Sequence, residues 1–217
     1  IRRTSPRRTP LRWSRWFPHA IIVSIHLFLF GTMVTGDQAP GFRDSAFLYY
    51  PMFKWHDRLI QEGKVPTWNP YDNYGAPVIE DTTSSVFYPG KLIFLVRALP
   101  YPSRFGIYLL LHALLAAYGA YWLALVLRCN QFGSTLAALS YSLSGAVLFQ
   151  SCNVIFLIGA AWLPWALGGW WLLFSKGRTA MLGWTAWTLA MMALGGDPQM
   201  AYHVALIGVF LLLRLSL

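Results

Sequence analysis

Acidic residues are scarce in this chain, and their distribution along it is uneven. Among 217 residues there are 8 Asp and Glu against 17 Lys and Arg, and all but one of the acids lie between Asp37 and Asp81. With 56% hydrophobic and 12% charged residues, the chain has too little polar surface for a soluble globular domain. We therefore expect an all-α fold, a polytopic bundle of transmembrane helices.

Several common site patterns are also missing. The 2 cysteines, Cys129 and Cys152, fall on opposite sides of the predicted membrane, too far apart for a disulfide. The sequence contains no Cys or His cluster at metal spacing, no glycine-rich phosphate loop and no nucleophile elbow. These absences argue against a zinc site, a nucleotide-binding loop and a serine hydrolase.

The basic excess orients the chain rather than predicting a nucleic-acid partner. The formal net charge of +9 is concentrated in a basic arm, residues 1–15, and in short loops near Arg128 and Lys176. By the positive-inside rule, these segments face the cytoplasm. The acid-rich segment then faces the other side, and membrane lipids are the expected partners of the basic residues.

Apolar runs of spanning length predict about six transmembrane helices within residues 16–217. The predicted spans are Trp16 to Val34, Ser103 to Leu127, Ser134 to Ser151, Val154 to Phe174, Thr179 to Leu194 and Ala201 to Leu217. Residues 35–102 form a large first extracytoplasmic loop. The chain begins at Ile1 and ends within an apolar run, so we expect it to be part of a longer protein.

The large loop contains an amphipathic segment, Tyr50 to Glu62. Its apolar residues Met52, Trp55 and Leu59 recur at helical spacing, and Asp57 lies on the opposite side with the other charges. The pattern predicts a helix lying flat on the outer membrane surface with Asp57 and Glu62 toward water. A loop of this length with many turn residues and aromatics favours a functional cover, with a purely structural cap as the alternative.

A series of short motifs resembles the YfhO-type bacterial membrane proteins of the GT-C glycosyltransferase class. In chain order they are Asp44, Tyr49-Tyr50-Pro51-Met52-Phe53, Gly63-Lys64-Val65-Pro66-Thr67-Trp68-Asn69-Pro70, Gly75-Ala76-Pro77, Phe87-Tyr88-Pro89, Ser144-Gly145, Ala161-Trp162-Leu163-Pro164-Trp165 and Gly195-Gly196-Asp197-Pro198-Gln199. The resemblance covers nearly the whole chain from Thr35. It departs from the family at Asp197, where the family usually has a histidine.

The resemblance implies transfer of a sugar from a polyprenyl-phosphate carrier to an acceptor outside the bacterial cytoplasmic membrane. The catalytic acid of the class stands at the start of the first outer loop, where Asp44 lies in this chain. Such an acid deprotonates the acceptor hydroxyl or, in some members, helps to hold a divalent metal. The alternative function is a non-catalytic membrane subunit whose outer loop caps or docks a larger membrane complex, and a lipid transporter is third.

The role of Asp44 stays open between catalysis and capping. It precedes Ser45 and a helical segment, so its carboxylate also suits a helix N-terminus. Asp37 is an alternative base, although Gly36, Pro40 and the residues between them favour a turn.

A phosphate leaving group requires positive charge on the outer side. The candidate substrate-binding cations are Arg43, Lys91 and Arg104, with Arg97 also available, and snorkelling beside head groups is the alternative for each. Asp197 is a further substrate-binding candidate because it lies at a helix break between two spans. His203 is the last candidate, and for it, as for His112, a buried histidine bonded to a neighbouring helix is the alternative.

Overall fold

The computed structural model of the chain describes residues 16–39, 41–72 and 74–216. These residues are mostly helical, 76% helix against 2% strand, so the predominantly helical fold expected from composition is confirmed. The predicted basic arm lies outside the described residues. The α-helices are α1 (Phe17–Thr35), α2 (Tyr50–Gln61), α3 (Tyr101–Val126), α4 (Gln131–Ser142), α5 (Gly145–Leu148), α6 (Val154–Lys176), α7 (Ala180–Leu194) and α8 (Pro198–Ser216).

The segment between α1 and α3 is built from short elements. A π-helix, Ser45–Tyr49, leads directly into α2. Strands β1 (Trp68–Asn69) and β2 (Ala76–Pro77) then pair antiparallel. The remaining helical turns are 3₁₀ helices, which lie at Thr82–Ser84, Pro89–Leu95 and, beyond α5, Phe149–Cys152.

Three helices are long and apolar enough to cross a membrane, namely α1, α3 and α6. At 1.5 Å per residue, the 19 residues of α1 extend about 28 Å, close to the thickness of a hydrocarbon core. A fourth candidate consists of α4 and the piece Gly145–Cys152, bent by 44° at a short break. Helix α7 and the segment Pro198–Arg214 are shorter apolar helices, so the described residues contain three to four candidate spans and the six expected spans are not confirmed.

The bend between α4 and α5 replaces the single straight span expected over Ser134 to Ser151. Ser144 has extended backbone angles, and its hydroxyl accepts a hydrogen bond from the backbone N–H of Val147 at 3.3 Å. A serine in this conformation begins a new helix rather than continuing the old one. The capping propensity of Ser144 therefore overrides the continuous apolar pattern.

Helix α3 lies at the centre of the bundle, in contact with α1, α4 and α6. Gly106 lets α1 approach closely, because a Cβ at that position would lie only 2.2 Å from the carbonyl oxygen of Met33. Farther along α3, the Leu115 carbonyl accepts a hydrogen bond from Trp165 Nε1 at 3.0 Å. Small residues and tryptophan N–H groups thus hold these apolar helices together.

Pro164 lies inside α6, where a proline leaves one helical carbonyl without its usual donor. That carbonyl belongs to Ala160, four residues earlier. The hydroxyl of Tyr141, on α4, donates a hydrogen bond to it at 2.7 Å. A side chain of a neighbouring helix therefore satisfies the carbonyl that the proline leaves unpaired.

Helix α2 buries a different face from the one predicted. Phe53, His56 and Asp57 are its buried residues, whereas Trp55 is only partly buried. The expectation that Asp57 faces water is wrong, because Asp57 forms an ion pair with Arg104 beneath the helix. Hydrophobic periodicity alone does not reveal a buried charge that has a partner elsewhere in the chain.

Replacing Gly106 with Ala tests the contact between α1 and α3. In an exposed helix this change usually stabilises, but here the new methyl group meets the Met33 backbone, so we expect a loss of about 1–3 kcal/mol in the free energy of unfolding. Unfolding in detergent micelles measures it. The control is Gly31→Ala on α1, where a Cβ meets nothing within 4 Å. Equal effects of the two changes contradict the close approach.

Candidate functional site

Asp44 lies at the end of the loop that follows α1, directly before the π-helix. It is exposed and makes no capping hydrogen bond, so the capping alternative for Asp44 is wrong. Its neighbour Arg43 has a backbone φ of 51°, in the left-handed region that residues other than glycine seldom adopt. The Asp44 carboxylate therefore has no hydrogen-bond partner among the described residues and is available to a ligand.

A groove of about 550 Å³ is lined by Gly41 and Phe42, which precede Arg43 and Asp44 in the chain. It is bounded by Met33 at the end of α1, by Phe42 in the loop, and by Leu148 and Phe149 from the segment beyond α4. The guanidinium carbon of Arg43 lies 5.7 Å from the centre of the Phe149 ring. The groove thus combines apolar walls with a cation at its edge.

Tyr49 connects the π-helix to the segment before α6. It is buried, and its hydroxyl donates a hydrogen bond to Asn153 Oδ1 at 2.8 Å. Burial raises the pKa of Tyr49, and the negative charges of Asp44, Asp81 and Asp197 raise it further. The three acids therefore act electrostatically on the same buried phenol, which stays protonated.

Arg104, a predicted phosphate-binding residue, is instead part of a buried ion pair. Its Nη1 and Nη2 donate hydrogen bonds to the two oxygens of Asp57 at 2.6 and 3.0 Å, and Nη1 also donates to the Phe94 carbonyl at 2.5 Å. Both side chains of the pair are over 90% buried, with exposures of 7% and 8%. The guanidinium ties α3 to α2 and to the 3₁₀ helix Pro89–Leu95.

Lys91 is likewise enclosed. Its ammonium group lies 3.5 Å from the centre of the Phe53 ring, donates to the Ser84 carbonyl and contacts His56 Nδ1 at 3.3 Å. Burial lowers the pKa of Lys91 well below its usual range, against an opposing effect of the Asp81 charge. Burial and the Lys91 charge lower the pKa of His56 to about 3. His56 is therefore neutral at physiological pH.

Neither Asp197 nor His203 is among the residues that line this groove. Asp197 is 2% exposed, and its Oδ1 accepts a hydrogen bond from the Met200 backbone N–H at 2.9 Å, so it caps the start of α8. Its other oxygen, Oδ2, has no hydrogen-bond partner among the described residues and packs against Gly159 of α6. Burial raises the pKa of Asp197, while His203 is exposed on α8.

The structure also shows the hydrogen bonds that His112 and Asp37 make. His112 Nδ1 donates to the Tyr108 carbonyl at 2.7 Å, and its Nε2 contacts the Tyr88 hydroxyl at 2.8 Å. Asp37 accepts a hydrogen bond from Thr35 at 2.6 Å within an exposed turn. Of the predicted site residues, Arg43 contacts Phe149 in the wall of the groove and Asp44 follows it in the chain, while Lys91 and Arg104 share the buried cluster under α2.

Sequence reasoning missed two features of this region. The Tyr49–Asn153 hydrogen bond joins residues 104 positions apart, and the Asp57–Arg104 pair joins residues 47 positions apart. Arg104, a charged residue near the start of the apolar helix α3, was the available signal for the ion pair. For the divalent metal that the resemblance allows, no group of three or more His, Cys, Asp or Glu within the described ranges is arranged to hold one.

Comparison of the chain with protein-family models, with curated proteins and with solved structures finds no match. The function of the chain is therefore inferred from the site residues and their geometry.

Burial of the Arg104–Asp57 pair leads to a prediction about the free energy of unfolding. Arg104→Met leaves Asp57 as a buried charge without its partner, so we expect a loss of about 3–5 kcal/mol in the free energy of unfolding. Unfolding in detergent micelles provides the measurement. Arg58→Met is the matched control, because it removes the exposed Arg58–Glu62 pair and should change the free energy of unfolding much less than Arg104→Met does.

The double variant Arg104→Met with Asp57→Leu sharpens this test. Removing both charges should recover much of the stability that the single change loses, since no unpaired charge remains buried. A single Arg104→Met effect as small as that of Arg58→Met would contradict a structural role for the pair.

Proposed function

We propose that this chain is a membrane glycosyltransferase that moves a sugar from a polyprenyl-phosphate carrier to an acceptor on the extracytoplasmic side. The observation that carries the proposal is the exposed Asp44, whose carboxylate makes no capping bond, directly after Arg43, whose guanidinium lies over Phe149 in the wall of the apolar groove next to α1. The motifs that resemble YfhO-type proteins support the same activity.

Each part of the groove suits one part of the donor. The walls formed by Met33, Leu148 and Phe149 suit an isoprenoid chain, which is apolar and lies in the membrane. Arg43 suits the phosphate, because a guanidinium binds phosphate oxygens through two parallel hydrogen bonds. The donor sugar then lies next to Asp44.

The reaction follows from this placement. The acceptor hydroxyl transfers its proton to the Asp44 carboxylate while its oxygen forms a bond to the anomeric carbon. The bond from that carbon to the phosphate oxygen breaks, and the lipid phosphate leaves with the bonding electron pair. Arg43 stabilises the negative charge that develops on the leaving phosphate.

The proposal includes an orientation in the membrane. The N-terminus and the loop near Lys176 lie in the cytoplasm, and Asp44 and Asp197 lie outside. Six spans require that the bent pair, α7 and α8 each cross the membrane in addition to α1, α3 and α6. Helix α2 then lies along the outer surface, with Trp55 at the membrane interface.

A second candidate function is a non-catalytic subunit whose outer loop caps a membrane complex. It is favoured by the engagement of Lys91 and Arg104 in buried contacts that hold α2 in place. Such contacts make the loop a rigid cover whether or not chemistry takes place beneath it.

Replacing Asp44 with Asn separates the two functions. The change keeps the shape but removes the base, so sugar transfer should fall by about 10²–10⁴-fold, measured with labelled polyprenyl-phosphate sugars in proteoliposomes. Stability should change little, since Asp44 is exposed and makes no capping bond. Asp37→Asn, at the alternative base, is the matched control and should retain activity. Full activity of the Asp44 variant would reject Asp44 as the base, and the absence of sugar transfer by the unsubstituted protein would favour the non-catalytic subunit.

Single-cysteine labelling tests the orientation. In a Cys129→Ser background, a cysteine in place of Tyr71, which is 83% exposed in the loop, should react with an impermeant maleimide added to intact cells. A cysteine in place of Ser175, at the end of α6, should react only after permeabilisation. The reverse pattern would overturn the orientation.

A further inference from the structure

A second groove, of about 600 Å³, runs along α2 where the first turn of α3 meets it. Pro51, Trp55 and Tyr101 supply its apolar surface. The hydroxyl of Tyr101 donates to the Tyr50 carbonyl at 2.7 Å, so this ring is fixed in the wall. Trp55 is partly exposed and offers the groove an aromatic surface.

Most charges around this groove are already neutralised by neighbours. Asp57 forms the buried pair with Arg104. Glu62 accepts hydrogen bonds from Lys64 at 2.9 Å and from Arg58 at 3.3 Å. These bonds, the one from Lys64 first, lower the pKa of Glu62, which therefore stays ionised and paired.

Three polar groups in the groove have spare hydrogen-bonding capacity. The Lys54 ammonium group and the Trp55 indole N–H have no partner among the described residues, and Gln61 Oε1 accepts no bond from them. The amide nitrogen of Gln61 donates to Asp57 Oδ1 at 2.9 Å, which fixes the orientation of the free oxygen. The groove thus presents two donors and one acceptor around an aromatic ring.

We infer that this groove binds a neutral saccharide, with one sugar face against Trp55 and hydroxyl groups hydrogen-bonded to Lys54 and Gln61. A sugar has an apolar C–H face and a rim of hydroxyls that both donate and accept, which matches the ring and the three free groups. An anionic lipid head group fits less well, because the acids Asp57 and Glu62 also line the groove and Lys54 is the one lining cation without a partner among the described residues.

The position of the groove relates it to the proposed reaction. It begins at Pro51, seven residues after Asp44, with the π-helix Ser45–Tyr49 between them. The groove therefore follows closely after the proposed base in the chain. The groove would then bind the acceptor, and this assignment rests on the proposed function. The inference that the groove binds a saccharide does not depend on the proposed function.

Saturation-transfer NMR on the protein in lipid nanodiscs tests the inference. The probes are cellobiose, maltose and diacetylchitobiose, with glycerol 1-phosphate as the head-group probe. We expect transfer to at least one disaccharide, its loss in Trp55→Ala and its weakening in Lys54→Gln. Lys54 is exposed and unpaired, so the second variant keeps the fold even if the first does not.

Two control variants make the outcome specific. Trp171→Ala removes an exposed tryptophan near the far end of α6 and should leave the disaccharide signal unchanged. Asp44→Asn should lose sugar transfer but still bind the disaccharide, so failure of the catalytic proposal is distinguishable from failure of this one. Absence of any disaccharide signal, a signal insensitive to both Trp55→Ala and Lys54→Gln, or a Trp55-dependent signal from glycerol 1-phosphate alone would overturn the inference.

Discussion

The buried ion pair between Arg104 and Asp57 determines where the outer loop lies. Taking two charges out of water costs several kcal/mol each, and that cost is offset only when the pair is well aligned and its remaining polar atoms are bonded. Here two parallel hydrogen bonds join the charges, and the Phe94 carbonyl and the Gln61 amide complete much of the network. Any displacement of α2 from α3 would expose or unpair both charges. The loop is therefore a fixed cover over the bundle rather than a flexible connection.

The aromatic cluster beside this pair strengthens the same constraint. Phe53 of α2 packs among Phe94, Phe105 and Tyr108, and the Lys91 ammonium lies over its ring. With Lys91 and Arg104 both engaged in holding the loop, positive charge beside Asp44 comes from Arg43. The π-helix Ser45–Tyr49 follows at once, and such wider turns commonly occur at functional sites. The rigid part of the loop thus precedes α3 and follows a short segment in which Arg43 lies over Phe149 and Asp44 makes no capping bond.

Sequence patterns predicted the long apolar helices and the acid-rich loop between the first two, because hydrophobic runs and turn residues are local signals. They did not predict which face of α2 is buried, since Asp57 looks like a surface charge until its partner, 47 residues away, is known. They also missed the bend at Ser144, where a capping hydroxyl interrupts an apolar run. At the candidate site, the sequence alone placed Asp44 at the start of the outer loop. The roles of Lys91 and Arg104 depend on long-range packing, which no local sequence pattern predicts.

A rigid outer loop is compatible with both a catalytic and a structural protein. The two functions are therefore distinguished by the residues that take no part in holding the loop in place. Asp44 stands where a helix cap would stand, yet its carboxylate makes no capping bond. Arg43 adopts a left-handed backbone conformation that costs a residue with a side chain about 1–2 kcal/mol, and glycine or asparagine would fill that position with less strain. A merely structural turn gains nothing from an arginine there. The guanidinium over Phe149, at the edge of an apolar groove, supplies a reason for the strain if a phosphate binds beside it.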